Sequence, residues 1–155
     1  MLYNQKQQQK ILFLGYSREE TRLIDFLENK NCIVDHTSKP IEGKRDYNFA
    51  ISFGYRHILS PKTISSFNFK IINLHISYLP FNRGAHPNFW SHYERTPSGV
   101  TIHLMDEGID TGPILFQKYV SFNDEEKTFN DRYKRLNFEI EELFIENIEN
   151  LLTNK

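Results

Sequence analysis

Cysteine is almost absent. Cys32 is the only one in 155 residues, so an internal disulfide framework is excluded and a reducing compartment suits the chain. Long apolar runs are missing as well, and none spans a bilayer. Residues 1–10 are polar and Gln-rich, without the apolar segment of a secretory leader, so a cytoplasmic protein with no membrane partner is expected. Charge of one sign is not in excess. Lys+Arg 19 against Asp+Glu 20 gives a net charge of -1, which offers no field for a nucleic-acid backbone. Metal-ligand spacings are lacking too. The 6 histidines form no His-x-x-x-His pair and one cysteine makes no Cys-x-x-Cys, so no metal is expected. Gly15 has no companion glycines, so there is no dinucleotide fingerprint.

The composition is that of a globular protein, with 39% hydrophobic, 14% aromatic and 25% charged residues. The length suits one domain, read as residues 11–155 behind a polar tail over residues 1–10. Ile11-Leu12-Phe13-Leu14, closed by Gly15, reads as a strand buried on both faces. Ser17 and Glu20 have capping-box spacing, and Leu23, Ile24 and Leu27 give a helical face. Cys32-Ile33-Val34 predicts a second strand, with Cys32 in the core. The opening is therefore β-α-β, which favours a parallel sheet. After a charged linker over residues 38–46 come a strand at Phe49–Phe53 and a short helix opened by Ser60-Pro61. Further strands are expected at Lys70–Ile76, Gly99–Met105 and Ile114–Phe122. Phe89, Trp90 and Tyr93 mark a short helix. Phe129, Tyr133, Leu136, Ile140, Leu143 and Leu151 recur at helical spacing and predict a long C-terminal helix. Its Glu139, Glu141, Glu142, Glu146 and Glu149 read as a solvated face, and its apolar side would also suit a homodimer.

The chemistry concentrates in Ile71–Ser77. Alternate strand residues share a face, so Asn73, His75 and Ser77 point one way and Ile72, Leu74 and Ile76 the other. Three polar groups at the carboxyl end of a buried strand lie where open α/β sheets bind ligands. A lone histidine in a strand is ordinarily a satisfied core residue; the alternation, and the following loop with Pro80, Gly84 and Pro87, favour function here. Asp110 lies between Gly108 and Gly112, on backbone able to bend sharply, and follows a strand suited to pair with that of His75. Taken alone it would read as an Asx turn. His36, His57, His86, His92 and His103 are read as surface, loop or packing residues, although His103 lies on a strand near the site.

Four segments together resemble the catalytic domain of the 10-formyltetrahydrofolate-dependent formyltransferases. They are Asn73-Leu74-His75-Ile76-Ser77-Tyr78-Leu79-Pro80, Arg83-Gly84-Ala85-His86-Pro87, Gly99-Val100-Thr101-Ile102-His103 and Asp110-Thr111-Gly112-Pro113-Ile114. The resemblance runs from about Asp46 to Val120, more weakly over the first strand. It implies a Rossmann-like α/β fold: a mostly parallel sheet with an antiparallel strand, helices on both faces and, in this chain, a shortened N-terminal half. It implies a catalytic trio of Asn73, His75 and Asp110. It implies a folate pocket near Phe53, Gly54, Tyr55, Ile58 and Leu59 and near Met105, Asp106 and Gly108. Ser77, Arg83 and Gly84 would line the acceptor side.

Each member of the trio suits one task. In transfer of a formyl group from a folate nitrogen to an amine, an oxygen gains negative charge in the tetrahedral intermediate, which an amide donor such as Asn73 stabilises. A histidine titrates near working pH and can exchange the amine proton. A carboxylate fixes the imidazole tautomer and favours its charged form. No covalent nucleophile is required.

The chain departs from the family in three ways. About ten residues separate the second strand from Asp46, so one strand–helix unit is expected to be short or missing. Gly15-Tyr16-Ser17-Arg18-Glu19-Glu20 lacks a Gly-Ser-Asn phosphate turn, which argues against glycinamide ribonucleotide as acceptor. No second domain is expected before Lys155, which with the charge argues against tRNA. The expected reaction is formyl transfer from 10-formyltetrahydrofolate to a small primary amine, an amino-sugar nucleotide best of all. The alternatives are a hydrolase releasing formate from the same donor, and a non-catalytic folate- or nucleotide-binding relative.

Overall fold

A computed structural model describes residues 8–43 and 46–153. Most of the expected polar tail, residues 1–7, lies outside the described residues. Lys10 does not belong to a tail; it opens the first strand.

Ten elements follow one another: β1 (Lys10–Gly15), α1 (Leu23–Asn29), β2 (Ile33–Thr37), β3 (Phe49–Phe53), α2 (Pro61–Ser66), β4 (Ile71–His75), α3 (Pro87–Glu94), β5 (Gly99–Leu104), β6 (Ile114–Tyr119) and α4 (Phe129–Thr153). The strands form one sheet in the order β2-β1-β3-β4-β5-β6. The pairs β1–β2, β1–β3 and β3–β4 are parallel, whereas β5 is antiparallel to both β4 and β6. One strand, β5, thus runs against the rest, as the resemblance implied.

Strand alternation divides the core into two layers. Ile11 and Phe13 of β1, Ile72 and Leu74 of β4 and Val100 and Ile102 of β5 pack against α1 and α4. Leu12 and Leu14 of β1, Ala50 and Ile71 face the other way, onto Leu59, Phe67 and Ile64 around α2. Helices therefore cover both faces. α2 begins as its sequence dictates, with the Ser60 hydroxyl accepting the Thr63 N–H at 3.1 Å and Pro61 at the first helical position. The connection from β2 to β3 carries no helix among its described residues, in keeping with a shortened N-terminal half.

Four expectations need correction. β2 starts after Cys32, which is buried but precedes the strand. The last strand ends at Tyr119 rather than Phe122. Glu20 does accept the Ser17 N–H at 2.9 Å, but this closes a turn. α1 opens at Leu23 behind Arg22, which makes no side-chain cap. In α4 the acidic side is not uniformly solvated. Glu139 is buried between Lys118 (2.6 Å) and Arg135 (2.7 Å), and Glu141 takes hydrogen bonds from Thr21 (2.6 Å) and Arg22 (2.8 Å). Carboxylates at these positions are kept because each is paired. They tie α4 to β6 and to the turn before α1.

Candidate active site

The polar face of β4 meets the polar face of β5. Antiparallel register sets Asn73 opposite His103 and His75 opposite Thr101, all four on the side away from α1 and α4. Thr101 is fully buried. Its hydroxyl donates to Ser77 O (2.7 Å) and accepts from Leu79 N (3.2 Å) and Gln117 Nε2 (3.0 Å), fixing where the chain turns after β4.

Asp110 enters from the loop between β5 and β6. Its φ of 50° is left-handed, a conformation that Asp tolerates better than most residues. The loop can approach β5 because residue 112 is glycine: a Cβ there would lie 1.8 Å from Leu104 O. Asp106 braces the same loop, its Oδ1 accepting Thr111 Oγ1 at 2.6 Å and Gly108 N at 3.0 Å, and these bonds hold its carboxyl below the usual range.

The Asp110 carboxylate is the hub. Oδ1 accepts Asn73 Nδ2 at 3.0 Å and lies 3.3 Å from His103 Nε2; Oδ2 accepts Gly84 N at 2.8 Å and lies 3.5 Å from His75 Nε2. Burial alone would raise its pKa. The His103 hydrogen bond, the His75 charge and the Gly84 N–H outweigh that and bring it to about 2. Asp110 is therefore a carboxylate at every working pH. His75 is 8% exposed, and burial pushes its pKa below 6.5 despite the pull of Asp110. Its Nε2 lies 3.2 Å from Asn82 O. Both neighbours of Nε2 are acceptors, so this nitrogen carries the proton and the neutral ring keeps its lone pair on Nδ1.

Asn73, His75 and Asp110 stand at the wall of a cleft of about 1100 Å³. One lobe is bounded by Phe53, Gly54, Tyr55, Ile58 and Leu59 after β3, and by Met105, Asp106 and Gly108 across from them. The other is bounded by Phe89, Phe129, Tyr133 and Asn137, and Tyr16, whose ring lies edge-on to Phe53 with centroids 4.8 Å apart, stands between the two. Gly84 lines the cleft. Ser77 does not: it is buried with its hydroxyl on Phe81 O at 2.9 Å. Arg83 is exposed and also outside the lining. The chain thus brings together every residue expected at the trio and the folate side, and on the acceptor side only Gly84.

Residues 33–148 match the family described as formyl transferase. The chain belongs to the formyl transferase family. It is 44% identical to the formyltransferase PseJ from Anoxybacillus kamchatkensis, solved in complex with UDP-4,6-dideoxy-4-formamido-L-AltNAc and tetrahydrofolate. The TM-score is 0.83, with 90% of this chain and 75% of that one covered. A 4-N formyltransferase from Francisella tularensis is 29% identical with a TM-score of 0.77, over 95% of this chain and 70% of that one. Methionyl-tRNA formyltransferase of Thermodesulfovibrio yellowstonii is 40% identical over 104 residues, 66% of this chain and 33% of that protein. The chain thus spans about a third of the length of that curated relative.

Within this formyl transferase chain, sequence reasoning passed over His103, which contacts the trio, and Phe129, Tyr133 and Tyr16 in the cleft wall. The sequence puts His103 among the surface, loop or packing histidines, although on a strand near the site; its Nε2 lies 3.3 Å from both Asp110 Oδ1 and Asn73 Nδ2. Its alternation with Val100 and Ile102 was visible; the register that sets it opposite Asn73 was not. Phe129 and Tyr133 share the apolar spacing of the helical core face but are half-exposed and line the cleft. Tyr16 follows β1, packs against Phe53 and pairs its hydroxyl with that of Tyr133, linking that side of the cleft to α4. Burial, and after it that pairing, push the Tyr16 pKa upward, so its hydroxyl stays neutral.

Proposed function

We propose that this chain transfers a formyl group from 10-formyltetrahydrofolate to a primary amine on a nucleotide-linked amino sugar. The observation that carries the reading is the meeting of Asn73, His75 and Asp110 within hydrogen-bond or ion-pair distance at one cleft. The cleft suits the donor. It exceeds the usual 300–1,000 Å³ of ligand pockets, and the lobe after β3 offers apolar walls (Phe53, Leu59, Met105) to a flat bicyclic ring. The likeness to PseJ supports an amino-sugar acceptor, and the second lobe has the neutral hydroxyls, amides and aromatic faces that sugars use.

In the reaction the amine nitrogen adds to the formyl carbon, the carbonyl oxygen takes up negative charge, and the bond to the carrier nitrogen then breaks. Asn73 Nδ2 donates to Asp110 Oδ1 at 3.0 Å and lies 3.3 Å from His103 Nε2; the N–H that Asp110 does not use is assigned to the charged oxygen. His75 Nδ1 accepts the amine proton and returns it to the departing nitrogen. Asp110 stabilises the imidazolium formed between those steps and holds the Asn73 amide. Water attacking the same carbon would instead release formate.

The test is to mix the full chain with 10-formyltetrahydrofolate and a panel of amines, and to follow tetrahydrofolate and formamide. Formamide on a UDP-linked amino sugar, with no formate when amine is absent, is the expected result. Formate without amine would replace this reading with a hydrolase, and no turnover despite folate binding would replace it with a binding protein.

A further inference from the structure

We propose that Asn82, a loop residue outside the catalytic trio, is a positioning residue that fixes which nitrogen of His75 carries its proton. The inference rests on formyl transfer for the role of His75, but not for the tautomer itself.

The shorter contact of His75 Nε2 is not with Asp110. It lies 3.2 Å from Asn82 O and 3.5 Å from Asp110 Oδ2. Asp110 Oδ2 is already engaged by Gly84 N at 2.8 Å. A main-chain carbonyl thus supplies the primary acceptor, and the carboxylate adds charge behind it. The division has a chemical consequence. A neutral carbonyl selects the Nε2–H tautomer without binding the imidazolium strongly, so the ring stays free to pass its proton on.

A loop carbonyl does this only if the loop is held, and the side chain of Asn82 holds it. Nδ2 donates to Glu94 Oε2 at 3.1 Å, and Oδ1 accepts from Thr96 Oγ1 at 2.7 Å. Glu94 is the last residue of α3, and Thr96 N returns to Ser91 O at 3.1 Å. The Asn82 backbone is left-handed, with φ of 55°, which Asn accepts more readily than most side chains. The side-chain amide is thus clamped at both ends to the C-terminal end of α3, and the main-chain carbonyl of Asn82 is aimed at the His75 ring. The groups facing His75 are Asp110 from the β5–β6 loop, His103 from β5 with ring centroids 6.3 Å apart, and the Asn82 carbonyl from the β4–α3 loop. Glu94 stands behind Asn82.

The test is a variant series read by two methods. Asn82→Gly keeps a residue at ease in the left-handed conformation but removes both clamps. Thr96→Val removes one clamp farther from the site, and Thr96→Ser retains the hydroxyl. Long-range ¹H–¹⁵N correlations of labelled histidine, with His75 assigned by His75→Gln, report the tautomer without substrate. The wild type and Thr96→Ser are expected to show the Nε2–H pattern. Asn82→Gly is expected to show mixed tautomers and a kcat for formyl transfer lowered about tenfold, with KM for the folate donor within about twofold. Thr96→Val should move both readouts in the same direction by less. A pure Nε2–H pattern in folded Asn82→Gly and Thr96→Val would overturn the proposal, whatever the reaction proves to be. Mixed tautomers with unchanged formyl transfer would also overturn it. Absence of turnover in the wild type, with the tautomer shift present, would count against the reaction and not against the clamp.

Discussion

Asp110 and His75 make opposite statements about charge in the same few ångströms, and both leave a mark on stability. Asp110 is held at about 2 instead of 3.8, so its stabilisation is present above the unfolded value and is lost as pH falls through about 2. His75 sits below 6.5 when folded, so the unfolded chain takes up a proton that the folded chain refuses as pH drops below that value. The urea midpoint should therefore begin to fall near pH 6.5. His75→Gln should flatten that first phase and leave the later loss from Asp110. An unchanged pH profile in His75→Gln would show that burial does not disfavour the imidazolium. At this scale the Asn73-x-His75 alternation draws attention to β4, whereas Asp110 taken alone reads as an Asx turn and joins them only through the family resemblance. The place of His103 is not legible, because a strand residue's partner depends on register, which is set by turns and by the whole hydrophobic face.

Between elements, one contact positions the site and two others carry stability. The Gly112 contact is backbone against backbone, so Gly112→Ala should displace the loop that carries Asp110 while leaving the sheet intact. We expect wild-type-like circular dichroism with activity lost about 100-fold or more, consistent with the cost of misplacing a reacting group by about 1 Å. Thr101→Val keeps the shape but strands Leu79 N–H and Ser77 O, which should cost about 1–3 kcal/mol by urea unfolding. Glu139→Ala should destabilise more than Glu149→Ala. Glu139 is buried between Lys118 and Arg135, whereas Glu149 is exposed, 4.0 Å from Lys30. Equal effects would contradict the buried pairing. The helix of α4 is plain in its periodicity, whereas the surroundings of its faces are not. Phe129 and Tyr133 continue the apolar spacing beyond the sheet, where they wall the cleft, and Glu139 and Glu141 face cationic and hydroxyl partners that no helical wheel displays.

Over the whole molecule, the sheet order places the ends of β3 and β4 and the β5–β6 loop around one cleft, and α3 and α4 close its second lobe. The class of fold followed from β-α-β at the start and from the four motif segments, whereas lobe shapes depend on loops that carry no periodic signal. The most direct measurement is the steady-state rate of formyl transfer by Asp110→Asn, taken beside the affinity for tetrahydrofolate. The variant keeps side-chain size but loses the charge that we propose stabilises the His75 imidazolium. A drop in kcat of about 10²–10⁴-fold with folate affinity within a few-fold is expected. A folded Asp110→Asn protein with kcat within twofold of wild type would contradict the convergence of Asn73, His75 and Asp110 as the working centre.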